Sequence, residues 1–271
     1  MEILILCNEH DAVAQALYQQ LIKKNKPVTL IVAEELMYAR SWIHEINSKG
    51  KTTTEIILQN GKVIHSDKLE AVWNRIRFFS MSHFINETDR YYAQNEMSAL
   101  FYSFLNSINK ALINPINTHD LGMESENLLY LQQHAINAGL KVLDFQFTSS
   151  PRWKTSKHLV SFACQKKETA AFRKKAPYLI WQNQPALLIE PSTEIKRIWT
   201  VGGRVTNAKA IPEEKALKKL SSNLNKILLE VDLAKTKEGI KVSNINTFPL
   251  YAPAEAVDSL AELLLQKAKE V

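Results

Sequence analysis

The residues of this chain that could do chemistry are few, and most lie late in its 271 positions. In "VSNINTFPLY", residues 242–251, Asn244 and Asn246 flank Ile245. On a strand, side chains two apart share a face, so both amides point the same way. Each offers a neutral carbonyl oxygen, a donor that a hard cation accepts; a polar pair turned to solvent fits the same spacing. Arg197, beside Lys196, is either an anion-binding guanidinium or an edge charge on a hairpin. In "EAVWNRIRFF", Trp73, Arg75 and Arg77 alternate with Asn74 and Ile76, so the three share a face. A partly buried Trp beside two edge arginines accounts for that pattern. Asp232, in "LLEVDLAKT", stands at the end of a helix-like run. His119 and His158 have no partners at ligand spacing, and no Ser/His/Asp or Cys/His set can be assembled.

Composition excludes several classes. Hydrophobic content of 45% and charged content of 23% are those of an ordinary globular protein. No apolar run approaches the roughly 18 residues of a membrane span. Cys7 and Cys164 are lone cysteines without disulfide or zinc spacing, and Cys7 ends an apolar strand as a buried small hydrophobe. A reducing cytoplasm is the expected location. The seven glycines include one adjacent pair, Gly202-Gly203, which rules out a Walker loop and a GxGxxG fingerprint.

Charge is unevenly spread. Residues 1–150 hold 13 Lys/Arg against 16 Asp/Glu, and the remainder 21 against 12. Much of the excess lies in 152–175, a stretch that reads first as a solvated face. Nucleic-acid binding through it ranks below the readings that follow, because no aromatic-interleaved motif accompanies the charge.

The elements that must position these residues begin strand–helix–strand: "MEILILC", "DAVAQALYQQLIKK" and "KPVTLIVAEEL". "TTTEIILQNGKVIHSD" is a hairpin turning at Asn60-Gly61. "EAVWNRIRFF" is a strand, and "ETDRYYAQNEMSALFYSFLNSINK" a long helix with Tyr91, Tyr92 and Phe101 in the core. It leads to "ALINP", a short strand. A helix stopped by Gly139 precedes the strand "LKVLDFQF". Beyond 150, "QPALLIEP", "IKRIWTVGGRVTNAKAI" and "EGIKVSNIN" are strand-like, while "EEKALKKLSSNLNKILLEVDL" and "AVDSLAELLLQKAKEV" read as helices.

The order "AVWNRIRFF", a helix bearing "FLNS", "LINP" and a helix ending "AGL" resembles the ATP-grasp peptide-modifying ligases. These are the RimK-like branch that includes graspetide synthetases, which cross-link ribosomally made peptides. "ALLIEPSTEIKRIWTVGGRV" resembles the family's hinge strand and following strand pair. The resemblance implies an α/β protein: a Rossmann-like pre-ATP-grasp domain over 1–117, then a reduced ATP-grasp (α+β) domain over 118–271. Within the latter, 118–186 would be a remnant of the lid and 187–271 the C-terminal sheet and helices.

The resemblance also assigns roles. Arg197 falls on the arginine that reaches ATP phosphate or acyl phosphate, and Glu190 near the hinge acid beside adenosine. Asp232, Asn244 and Asn246 fall on the magnesium ligands Asp, Glu and Asn, with Asn244 where the family has Glu. Trp73 and Arg75 fall on a segment facing the substrate. The implied cofactors are ATP and Mg, and the implied partner is a peptide or amino-acid substrate or a partner ligase. Oligomeric state is left open, a homodimer included. Replacing Glu by Asn removes a negative charge from the metal set, and no glycine lies between 140 and 201 to wrap phosphate. Two functions follow: a carboxylate–amine ligase, or a non-catalytic descendant that binds a peptide or partner and is degenerate towards metal and ATP.

Overall fold

Six residues of β1 (Glu2–Cys7) form the centre of a parallel sheet, flanked by β2 (Val28–Val32) and β6 (Leu69–Arg75). The structure is a computed structural model describing residues 2–113, 128–148, 158–161, 186–189, 194–206 and 211–270. A central parallel strand is covered on both faces, which is why "ILILC" is continuously apolar. Ile3, Ile5 and Cys7 enter one hydrophobic cluster with α1 (Ala12–Lys23); Leu4 and Leu6 enter another on the opposite face. Asp11 caps α1, its Oδ1 accepting from the backbone N–H groups of Val13 and Ala14 at 3.1 and 3.0 Å.

After β2 the chain turns through α2 (Ala33–Met37) into an antiparallel sheet of β3 (Ser41–Ile46), β4 (Thr52–Ile57) and β5 (Val63–His65). The hairpin turn at Gly61, φ 83°, is the one expected from Asn60-Gly61. β3 was not expected; it is an edge strand leaving Ile43 and Ile46 exposed, without clean apolar alternation. α3 (Glu87–Ser107) buries Phe101, Phe104 and Leu105 in its second half, whereas Tyr91 and Tyr92 are exposed, correcting their placement in the core. The short strand expected at "ALINP" is reduced, within the described residues, to a bridge between Leu112 and Val72.

α4 (Leu128–Ala138) stops at Gly139, φ 94°. The strand expected over "LKVLDFQF" begins at β7 (Phe145–Thr148), which pairs antiparallel with β9 (Ala186–Ile189), as does β8 (His158–Ser161). The domain boundary at 117/118, Glu190, Cys164 and most of the lid segment lie outside the described residues.

The last sheet is antiparallel in the order β11 (Arg204–Thr206), β10 (Glu194–Val201), β12 (Leu228–Thr236) and β13 (Gly239–Asn246). Gly202 and Gly203 turn the β10–β11 hairpin with φ of 53° and 78°, a pair of positive values that only glycine adopts without cost. α5 (Glu214–Leu224) does not reach Asp232. It stops at Asn225, whose φ of 52° is the left-handed conformation that ends helices. "LLEVDLAKT" is therefore strand, and Asp232 sits mid-strand rather than at a helix end.

One face of this sheet packs Ile198, Leu229, Val231, Leu233, Val242 and Ile245 against α4 and α5. The other carries Trp199, Val201 and Leu228 into the first cluster, together with α6 (Ala254–Glu270). α6 thus lies between the final sheet and the parallel sheet. Gly202 meets it closely: a Cβ there would come within 3.2 Å of Leu263 Cδ2. None of the described helices is long and apolar enough to cross a membrane.

Candidate functional site

The face of the last sheet that meets α6 changes character along its strands. At the Val201–Leu228 pairing it is apolar; two residues on, Trp199 stands opposite Glu230; two further, Arg197 stands opposite Asp232. Across the next strand Glu230 pairs with Asn246 and Asp232 with Asn244. The register therefore sets Arg197, Asp232 and Asn244 in one row and Glu230 and Asn246 in the next. A bulge follows Asp232: Leu233 pairs with Val242, and the extra residue Ser243 donates its hydroxyl to the Asp232 carbonyl at 3.0 Å. Bulges of this kind re-aim side chains beside functional sites.

Arg197 dominates the row. Its Nε donates to Asp232 Oδ1 at 2.7 Å and its Nη2 to Asp232 Oδ2 at 3.2 Å, a fork-on-fork pair. The same Nε lies 3.3 Å from Glu230 Oε1. Glu230 is fully buried, and Asp232 nearly so, while the Arg197 side chain remains about a third exposed. The hydrogen bond to Asp232, aided by both carboxylate charges and opposed by desolvation, holds the guanidinium proton more tightly than usual. Asn244 Nδ2 lies 3.5 Å from Asp232 Oδ2. Asn246 Oδ1 accepts from the Phe248 backbone N–H at 3.0 Å, a local turn in which the side chain imitates backbone.

Glu230 is the site residue that sequence reasoning missed. Its signal was the step of two from Asp232, invisible while the segment was read as helix. Its presence returns a second carboxylate to a set that had seemed to hold one.

A divalent cation is the group implied here, and the donors as arranged do not fit it. Magnesium takes near-octahedral oxygen ligands, with carboxylates foremost. Both Asp232 oxygens already accept from Arg197, and Asn246 Oδ1 accepts from backbone. One guanidinium against both carboxylates cancels about half of the charge that would draw in a divalent cation. Among the described residues no group of three or more His, Cys, Asp or Glu is placed to hold a metal.

Trp73 and Arg75 do share a face of β6, but each is only 3% exposed. Trp73 lies in the first hydrophobic cluster. Arg75 Nε donates to Asp11 Oδ2 at 2.7 Å, and its Nη2 to the Pro249 carbonyl at 3.0 Å. Its Cζ sits 3.9 Å from the Phe248 ring centroid and 5.0 Å from that of Trp73. Arg77 approaches the same Phe248 ring at 4.5 Å. Burial lowers the Arg75 affinity for its proton, and the Asp11 carboxylate opposes that loss. The pair of arginines thus clamps the turn after Asn246 onto the end of the parallel sheet.

Comparison with solved structures decides the fold. The macrocyclase MdnC from Microcystis aeruginosa, bound with its precursor peptide MdnA, superposes with a TM-score of 0.75 at 16% identity, over 98% of this chain and 100% of that one. The chain has the ATP-grasp fold.

An ATP-grasp ligase from Chryseobacterium gregarium, in complex with ADP and leader and core peptides, matches with a TM-score of 0.69 at 14% identity, over 98% of this chain and 97% of that one. The more remote D-alanine–D-alanine ligase of Helicobacter pylori matches at 0.53 and 12% identity, over 100% of this chain and 98% of that one. At the sequence level no protein-family model matches this chain, and none of the curated proteins compared matches it.

Proposed function

We propose that this chain is a relative of ATP-dependent carboxylate–amine ligases that keeps a peptide-handling scaffold and is degenerate in divalent-metal and ATP binding. One observation carries the reading: Asn244 faces Asp232 across β12 and β13, and Arg197 takes both Asp232 oxygens. In this reading residues 1–117 are a Rossmann-like pre-ATP-grasp domain and 118–271 the ATP-grasp-like part. The chain would bind a peptide, or a partner ligase, without activating a carboxylate itself. Trp73 and Arg75, both buried, would leave substrate contact to other residues. Support for a peptide ligand comes from the structural neighbours crystallised with precursor peptides.

The experiment is calorimetric titration of the purified protein with ATP in the presence and absence of magnesium. Absence of micromolar, magnesium-dependent binding is the expected outcome. Such binding, if found, gives way to the second reading, an active ligase, which the buried Glu230 favours. There, phosphoryl transfer to a peptide carboxylate yields an acyl phosphate, an amine attacks its carbonyl, and phosphate departs. Arg197 would stabilise the charge gathering on that phosphate.

A further inference from the structure

We infer that the Arg197 guanidinium, at the position where the resemblance implies a phosphate-binding arginine, is here turned into the counter-ion of Asp232 and Glu230: it supplies from the protein positive charge that a metal would otherwise bring, and it closes the site to divalent cations. The inference rests on the reading of a metal-degenerate site and adds which side chain now balances its charge.

The electrostatics are specific. Glu230 and Asp232 stand two apart on β12 with their side chains on one face, and both are buried. Two buried carboxylates this close are untenable without a compensating cation, since each has given up its hydration. Either a metal or a basic side chain can compensate. Arg197 is placed for it by register, directly opposite Asp232, and its Nε lies within 3.3 Å of both carboxylates. Its planar fork satisfies both Asp232 oxygens at once, as a lysine would not. The neutral Asn244, beside Asp232, fits the same account. With one unit of positive charge already in place and two carboxylates to balance, a third carboxylate would leave the buried cluster more negative than its tethered cation can offset. An amide adds polarity and no charge.

The test uses Mn²⁺ alone, with no nucleotide, on the full chain. Calorimetry and thermal unfolding are run on wild type, Arg197→Met and Arg197→Lys. Wild type is expected to show no Mn²⁺ heat and a melting temperature indifferent to Mn²⁺ or EDTA. Arg197→Met is expected to bind Mn²⁺ about tenfold tighter than wild type or better, since affinity follows uncompensated ligand charge, and to melt higher when it does. Arg197→Lys, which keeps the charge, is expected to stay closed to the ion. Equal Mn²⁺ affinity in wild type and Arg197→Met overturns the inference. If Arg197→Met does not fold alone, adding Asp232→Asn must restore folding; a double variant that stays unfolded overturns it as well. ATP binding by wild type would unseat the degenerate reading yet leave these Mn²⁺ outcomes to be judged on their own.

Discussion

Arg75 and Asp11 form a buried ion pair, Nε to Oδ2 2.7 Å, that joins the end of β6 to the first turn of α1. The same Asp11 caps α1 through its other oxygen, and the same Arg75 holds Phe248 and Pro249. One pair therefore fixes a helix start, a strand end and the turn that follows Asn246. Arg75→Met leaves the Asp11 charge buried without its partner, and the loss of folding stability is expected at about 3–5 kcal/mol. Urea denaturation measures it. Arg75→Lys keeps the charge but not the fork or the stacking, so an intermediate loss is expected. A variant within experimental error of wild type would refute the clamp.

Asn244→Glu restores a carboxylate in register with Asp232. Magnesium affinity is expected to rise on the order of tenfold, because ligand charge count sets it. Without metal the same variant is expected to melt lower than wild type, since a third anion joins two buried ones. Calorimetry with magnesium and a melting curve in EDTA give the two readings. Unchanged affinity argues that this row is not the ancestral metal site.

Burial, with the Asp11 charge adding to it, pushes the Cys7 thiol up from 9.0 to about 12. Between those values the folded chain keeps a proton that the unfolded chain releases, so rising pH favours unfolding. This contribution to stability is whole below about pH 9 and is lost as pH climbs towards about 12. Cys7→Ala should flatten the alkaline limb of a stability–pH curve relative to wild type. Parallel curves for the two proteins across that range would show that the thiol contributes nothing. In the native protein the thiol should also resist alkylation at neutral pH and react once denaturant is added.

Asn225 carries the left-handed turn between α5 and β12. Asn225→Ala places a Cβ-bearing residue without a local hydrogen-bonding group at φ 52°, which costs about 1–2 kcal/mol. Asn225→Gly is expected to be neutral or slightly stabilising. Denaturation midpoints of the two variants on opposite sides of wild type, or Ala alone below it, satisfy the expectation; equal midpoints do not.

That turn also marks where the sequence was legible and where it was not. The opening strand–helix–strand, the Asn60-Gly61 hairpin and the Gly139 stop each rest on neighbouring residues, and each stands in the structure. From Leu217 to Leu233 leucines recur at spacings that suit a helix or a strand buried on both faces, and only a short turn, Asn225 to Ile227, separates the two elements. Reading through it hid Glu230, because its partnership with Asp232 exists only at strand period. Arg197, Asp232, Asn244 and Asn246 came from resemblance, and the register does bring them together. The burial of Arg75 could not be read locally, because its partners Asp11 and Pro249 lie 64 and 174 positions away. Tyr91 and Tyr92 show the converse: helical spacing on α3 locates a stripe but does not supply a neighbour to cover it.

The packing of α6 between two sheets bears on how the chain folds. Ile3 and Ile5 share a cluster with Leu260 and Leu264, which lie far along the sequence from them. Until those dock, the face of the parallel sheet that α1 covers is only partly shut. Contacts so distant in sequence close late, so refolding at high protein concentration should lose material to aggregation through that half-covered face.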